Sequence, residues 1–148
     1  MKKVIIACLF ALFFLTFKTP IFAAEQFDIS VKADYGIKPD GITDVTQTIT
    51  IQNKTEFYYT PSYTVQLGFS DITNIQAYNA DGSIPTTLDD KKKDNKSIKL
   101  TFPKRYAGLH EKNVFTLKFS TKDIAQQQGS IWEVTIPGID KPGEYVSY

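Results

Sequence analysis

The sequence predicts an all-β protein: an antiparallel β-sandwich of the immunoglobulin-like type, with about eight short strands after an N-terminal signal peptide. Three observations support this fold class. Apolar and polar residues alternate with a period of two in most segments, which is typical of half-buried strands. Turn-forming residues separate these segments at short intervals, as they do in sandwiches. No long stretch has the periodicity of a helix.

Residues 1–24 have the organisation of a secretory signal peptide. Two lysines precede an apolar run at residues 4–17, and small residues follow at Ala23 and Ala24. The run is shorter than the roughly 20 residues that span a bilayer, and an uncleaved membrane anchor is the alternative. We therefore expect the protein to be secreted or held at the cell surface. Cys8, the single cysteine, leaves with the signal peptide.

The mature chain, residues 25–148, is predicted to form one domain. Removing 24 of the 148 residues leaves 124, enough for a hydrophobic core without disulfides. The mature chain carries 14 Lys and Arg against 16 Asp and Glu, because three lysines are lost with the signal. This balance does not favour a nucleic-acid partner, which selects a basic face. The last residues have a strand pattern, so we expect this domain to be the N-terminal part of a longer protein.

The first half of the domain is predicted to contain five strands. A strand at residues 27–34 leads into a turn at residues 38–41, where Pro39 presets one dihedral and Gly41 accepts a positive φ. The chain returns from Ile42 as the strand with the clearest alternation, residues 45–55, around which the fold is organised. Further strands are predicted within residues 58–69 and 72–78, and a hairpin turn at residues 79–82 leads to a return strand at 84–88.

The second half predicts three more strands and the start of another. A charged turn at residues 89–95 precedes a strand at 97–102, and a loop at 104–113 precedes a strand around 115–119. Asp123 is a candidate cap for a single helical turn. The strand at residues 131–136 places Trp132 in the centre of the predicted core. A last segment starts at Tyr145.

No set of residues predicts an active site, a cofactor site or a metal site. His110 is the only histidine, and neither a mature cysteine nor a second histidine is present to build a nucleophilic or zinc centre with it. Asp89 and Asp90 stand in a charged turn without an apolar pocket. Three further carboxylates lack the spacing of a calcium loop and are interpreted as turn residues: Asp34, Asp40 and Asp44. The glycosylation sequons at Asn53 and Asn95 matter only in a host that glycosylates them.

An aromatic cluster supplies one candidate binding surface, and an unpaired sheet edge that could add a partner's strand is the other. The rings of Phe57, Tyr58, Tyr59 and Tyr63 can cover the apolar face of a sugar, and the tyrosine hydroxyls can bond its edge. The alternative interpretation is that these rings fill and border the core.

Several segments resemble one known family. They are residues 46–55, 62–65, 115–123 and, most distinctively, the tryptophan strand 131–137. Together they are similar to the N-terminal β-sandwich domain of exported bacterial transglutaminase-like proteins. The resemblance implies a papain-like transglutaminase core downstream and often a C-terminal membrane segment. It transfers no catalytic residue, because the Cys, His and Asp of that family belong to the later domain.

The leading hypothesis is a non-catalytic scaffold, the N-terminal part of a transglutaminase-like cell-surface protein whose partner is a downstream domain of the same chain. The alternative is a free-standing extracellular module that binds an envelope glycan or a partner protein. A third hypothesis is a small hydrolase that uses His110.

Overall fold

The computed structural model describes residues 26–91 and 96–136, together with the backbone of residues 144–146. The predicted signal peptide and the centre of the charged turn at 92–95 lie outside these residues. Within the described part there is no helix long and apolar enough to cross a membrane. The strands are β1 Phe27–Ile37, β2 Thr43–Asn53, β3 Ser62–Leu67, β4 Thr73–Asn79, β5 Gly82–Ser83, β6 Thr86–Asp89, β7 Lys96–Thr101, β8 Lys112–Thr121, β9 Ala125–Gln128, β10 Ile131–Val134 and β11 Glu144–Val146.

These strands form two antiparallel sheets and a separate hairpin. One sheet has the order β1-β2-β8-β4-β5, the other has the order β11-β3-β7-β6, and β9 pairs with β10 in a two-stranded sheet. The predicted antiparallel β-sandwich is confirmed. The described strands number eleven rather than about eight, partly because β5 and β11 have only two and three residues, too few to show an alternating pattern.

Strand β2 lies between β1 and β8 and pairs with both over most of its length. Its odd-numbered residues are buried and its even-numbered residues are half-buried. Val45, Ile49 and Ile51 therefore face the core, as their alternation predicts. The same register buries Gln47 among them.

Aromatic rings from both sheets meet in the core. Tyr63 of β3 packs edge-on against Phe115 of β8, with 5.9 Å between ring centroids. Phe69 and Phe119 are also 5.9 Å apart. Burial of each such side chain contributes about 1.5–3 kcal/mol. The core also contains these aliphatic side chains: Val45, Ile49, Ile51, Val65, Leu67, Ile98, Leu100 and Leu117.

The turn between β1 and β2 has the predicted chemistry. The Gly41 N–H donates to the Lys38 carbonyl at 3.0 Å, and Gly41 has a φ of 81°. The Asp40 carboxylate accepts a hydrogen bond from the Ile42 N–H at 3.0 Å. Glycine is needed here because other residues adopt a positive φ only with strain.

The prediction that residues 84–88 form the return strand of a hairpin with the strand before the turn is wrong. The turn at 79–82 forms, and β5 pairs with β4 for two residues. The chain then passes Ile84, which is buried, and Pro85, which has no N–H for a ladder. Strand β6 pairs with β7 in the opposite sheet. This segment therefore crosses between the two sheets.

Trp132 is not in the core, contrary to the prediction. Its strand forms as predicted but belongs to the β9–β10 hairpin, and the Trp132 side chain remains 38% exposed. Val134 and Ile136, which share its alternation, are exposed as well. The alternating pattern identifies a strand, whereas the choice between a sandwich sheet and a separate hairpin depends on which partner strand pairs with it.

Asp123 does not cap a helical turn. Residues 122–124 form bends, and the Asp123 carboxylate accepts hydrogen bonds from the backbone N–H groups of Ser70 and Asp71, the latter at 3.0 Å. This carboxylate thereby ties the loop after β8 to the loop after β3.

The loops gather at two opposite ends of the sandwich. At the Asn53 end lie the loops 54–61 and 102–111 and the β4–β5 turn. At the Trp132 end lie the β1–β2 turn, the loops 68–72 and 121–124, and the β9–β10 hairpin.

Candidate binding site

The structure separates the three predicted surface tyrosines. The side chain of Tyr58 is 41% exposed and that of Tyr59 is half-buried. The prediction that Tyr63 belongs to a binding surface is wrong. Its side chain is completely buried, because it lies on the side of β3 that faces Phe115. Burial raises the pKa of the Tyr63 hydroxyl above its ordinary value. Tyr63 is a core residue and belongs to no surface.

The loop that carries Tyr58 is held in place by the buried side chain of Asn53. The Asn53 Oδ1 accepts hydrogen bonds from the Thr55 N–H at 2.9 Å and from the Thr55 hydroxyl at 2.8 Å. The Asn53 Nδ2 donates to the Tyr58 carbonyl. Because this amide is engaged on both sides, the first half of the loop has a defined shape. The same burial makes the Asn53 sequon inaccessible in the folded protein.

The loop 102–111 supports the Asn53 loop from the other side. The Asn53 N–H donates to the Glu111 carbonyl at 2.9 Å, and the Asn53 carbonyl accepts from the His110 N–H at 2.8 Å. The Arg105 guanidinium lies 4.1 Å from the centroid of the Tyr59 ring. Cation–π contacts of this kind contribute about 0.5–1 kcal/mol at exposed sites.

A polar network anchors the loop 102–111 to the β4–β5 turn. The Tyr106 hydroxyl donates to the Asp81 carboxylate at 2.7 Å and accepts from the Asn79 amide at 2.9 Å. Lys104 forms an ion pair with Asp81 at 3.2 Å. Burial, together with the Asp81 carboxylate, raises the pKa of Tyr106 to about 12. The hydrogen bond from Tyr106, followed by that from Lys104, lowers the pKa of Asp81.

Among the described residues, Phe57 is the most exposed large apolar one at the Asn53 end, at 84%. We define the aromatic loop surface as Phe57, Tyr58, Tyr59 and Arg105. The exposed rings of Phe57 and Tyr58 provide apolar contact area, and Arg105 provides hydrogen-bond donors. Sequence reasoning included Phe57 in the aromatic cluster but missed Arg105, since no local pattern signals that residue 105 meets residue 59.

His110 lies at the Asn53 end and has a backbone role in the loop. It adopts a positive φ of 66°, and its exposed ring is 3.4 Å from the Gln52 amide. Across residues 26–91 and 96–136, no three His, Cys, Asp or Glu side chains are grouped closely enough to hold a metal ion.

The carboxylates of the β1–β2 region act in turn and strand contacts. Asp44 lies 2.8 Å from the Lys38 ammonium and accepts a hydrogen bond from the Ser120 hydroxyl at 2.9 Å. Lys38, and then Ser120, lower the pKa of Asp44. Asp34 lies 3.5 Å from Lys32.

A cleft of about 230 Å³ lies at the Trp132 end. It is lined by Pro39, Asp40, Gly41, Lys122, Ala125, Gln127 and Trp132. Sequence reasoning did not find this cleft, because it forms where the hairpin lies against the β1–β2 turn, far away in the chain.

No family model matches the sequence, and no curated protein matches it. A family 3b carbohydrate-binding module from the biomass-sensing system of Clostridium clariflavum has a similar fold, with 11% identity, a TM-score of 0.43, and coverage of 72% of this chain and 85% of that one. A CBM3 protein of Hungateiclostridium clariflavum has 12% identity, a TM-score of 0.43, and coverage of 73% and 87%. Likeness at this level does not define a ligand for the present chain.

Proposed function

We propose that this chain is a non-catalytic exported module that binds a cell-envelope glycan through its aromatic loop surface. The observation that carries the proposal is the position of Phe57, an apolar ring left 84% exposed on a loop that buried Asn53 holds in a fixed shape. Leaving a phenylalanine in water forgoes about 1.5–3 kcal/mol of burial free energy. A bound ligand recovers part of it.

The chemistry of the surface suits a sugar. The face of a pyranose that carries C–H groups is apolar and packs on aromatic rings, and its hydroxyls require hydrogen-bond partners at the edge. Phe57 and Tyr58 supply the rings, while the Tyr58 hydroxyl and Arg105 supply polar partners. Because Asn53 and Arg105 already order the loop, little conformational entropy is lost on binding.

The proposal is tested by pull-down on isolated envelope glycan and by calorimetry with soluble fragments of it. Tyr58→Ala and Phe57→Ala are each expected to weaken binding about 10-fold or more, which corresponds to about 1.4 kcal/mol. Tyr78→Ala is the matched control, because Tyr78 is 39% exposed, close to the 41% of Tyr58, but lies on β4. No glycan binding by the unmutated protein, or equal losses in the Tyr58 and Tyr78 variants, would refute the proposal.

A second candidate function is the scaffold of a transglutaminase-like surface protein. The observation that favours it is the exposure of three apolar residues in the segment 131–136, Ile131, Val134 and Ile136, which a neighbouring domain would cover. Measuring the mass and acyl-transfer activity of the product isolated from its host tests this function. A larger product with cysteine-dependent activity supports it, whereas an inactive product of 124 residues contradicts it.

A further inference from the structure

One wall of the cleft at the Trp132 end is the Trp132 ring, and the absence of a side chain at Gly41 leaves room for it. A Cβ atom built on Gly41 would lie 3.3 Å and 3.4 Å from two ring carbons of Trp132, Cζ3 and Cη2, and 3.5 Å from the Ala125 carbonyl oxygen. Gly41 therefore allows the indole ring to lie against the β1–β2 turn while 38% of the Trp132 side chain remains exposed. Pro39 adds a second apolar ring to the lining.

Three polar side chains of different chemistry complete the lining: Asp40, Lys122 and Gln127. The hydrogen bond from the Ile42 N–H, at 3.0 Å, orients the Asp40 carboxylate. The Gln127 Nε2 donates to the Gly129 carbonyl at 3.0 Å, which orients the Gln127 amide. The cleft thus combines an aromatic ring with a carboxylate, an ammonium group and an amide.

Charge and size restrict the ligand that this cleft suits. The charges of Asp40 and Lys122 balance, so the lining favours a ligand without net charge that both donates and accepts hydrogen bonds. The volume of about 230 Å³ lies below the roughly 300–1,000 Å³ of sites for drug-sized ligands, so one ring-sized unit fits. A flat indole ring favours a ligand with an apolar face.

We propose that the Trp132 cleft is a binding site for a single neutral pyranose ring. The ring packs on Trp132, and its hydroxyls bond to Asp40, Lys122 and Gln127. The site lies at the end of the sandwich opposite Phe57, so it is separate from the aromatic loop surface. Binding at this cleft is therefore tested independently of binding at the aromatic loop surface. With both sites occupied, the module would contact glycan at two ends.

Trp132 reports directly on this cleft, because it is the only tryptophan in the sequence. The experiment titrates the protein with glucose, galactose and N-acetylglucosamine and records tryptophan emission, with the single indole N–H resonance followed by NMR as a second readout. At least one of these sugars is expected to give a saturable change with a roughly millimolar dissociation constant, as befits a ligand of this size.

Two variants localise the binding, and a third separates it from the other end. Asp40→Asn keeps the oxygen that accepts from Ile42 but removes the charge, and is expected to weaken binding about 5–10-fold through loss of a charge-assisted hydrogen bond. Lys122→Gln is expected to act similarly. Phe57→Ala, which disrupts only the aromatic loop surface, is expected to leave the emission change intact. Far-ultraviolet circular dichroism checks that each variant is folded.

Three outcomes would overturn the inference. The first is that none of the three sugars changes the tryptophan emission, or that the change stays linear with concentration up to the solubility of the sugars. The second is a saturable response to glycine but not to any sugar, which would assign a zwitterionic ligand instead. The third is a saturable sugar response that neither Asp40→Asn nor Lys122→Gln changes, which would place the sugar elsewhere.

Discussion

Replacing Asn53 by alanine is expected to destabilise the protein by about 2–4 kcal/mol. The substitution removes three side-chain hydrogen bonds, two to Thr55 and one to the Tyr58 carbonyl. Each such bond contributes about 0.5–1.5 kcal/mol net, so the three together account for about 1.5–4.5 kcal/mol. The backbone bonds from residue 53 to Glu111 and His110 do not depend on the side chain and remain.

Urea unfolding followed by circular dichroism measures this loss. With a slope of about 2 kcal/mol per molar urea, the midpoint is expected to fall by about 1–2 M. The matched control is Asn113→Ala. Asn113 is also a buried asparagine near the Asn53 end, but neither of its amide atoms has a hydrogen-bond partner among the described residues. Its replacement is expected to cost less than about 1 kcal/mol, because no hydrogen bond is lost.

The Asn53 variant also tests the link between loop order and binding. The Asn53 side chain is buried and does not touch a ligand, yet its loss frees the loop that carries Phe57. Ordering freed side chains costs about 0.5–1.5 kcal/mol each, so we expect about 3–10-fold weaker glycan binding in calorimetry. Equal destabilisation by Asn53→Ala and Asn113→Ala would refute the reasoning. Unchanged glycan binding by a destabilised Asn53 variant would refute the link to function.

Three further predictions concern the core and the turn. Tyr63→Phe is expected to raise the free energy of unfolding by about 1 kcal/mol, because the buried hydroxyl has no partner within the described structure. Burial raises the pKa of Tyr63, so above about pH 10 only the unfolded chain releases the proton of this hydroxyl. The wild type is therefore expected to lose stability as the pH rises above about 10, whereas the Tyr63→Phe variant does not show this loss. Gln47→Leu is expected to stabilise the protein by about 1 kcal/mol, because it removes a buried amide oxygen without a partner in the described part of the chain. Gly41→Ala is expected to cost about 1–2 kcal/mol through its positive φ and to shift Trp132 emission.

Each of these predictions has a control or a contradicting result. A Tyr63→Phe variant with the same alkaline unfolding midpoint as the wild type would show that the hydroxyl is not buried. Destabilisation by Gln47→Leu in thermal unfolding would show that the Gln47 amide is satisfied. Gly68→Ala is the control for Gly41→Ala, because a Cβ atom there meets no atom within 4 Å. Equal effects of the two glycine substitutions would contradict the prediction.

The strands of the sandwich were predictable from the sequence because burial on one face imposes a period of two. In β2 the alternation of Val45, Ile49 and Ile51 with threonines identifies both the strand and its core side. The turn at residues 38–41 was predictable for a local reason as well, since Pro39 and Gly41 restrict or permit particular dihedrals. The pairing of β6 was not predictable, because the same short strand satisfies its pattern in either sheet.

Within the aromatic cluster the sequence determined which residues have rings, and the tertiary structure determined which of these rings are exposed to solvent. Tyr58 and Tyr63 are chemically identical, and only the packing of β3 against β8 buries the second. Arg105 reaches Tyr59 because two loops that are distant in sequence meet at the Asn53 end.

Trp132 shows the same division at the other end of the sandwich. Its alternating neighbours determined a strand, and the sequence alone established that strand correctly. Whether that strand entered the core depended on pairing with β9 and on contact with Gly41, which is about ninety residues away in the chain. Local sequence determines the periodicity of a segment, because periodicity follows from the backbone. Only the tertiary structure decided which side of that segment was covered, because coverage depends on residues that the segment does not contain.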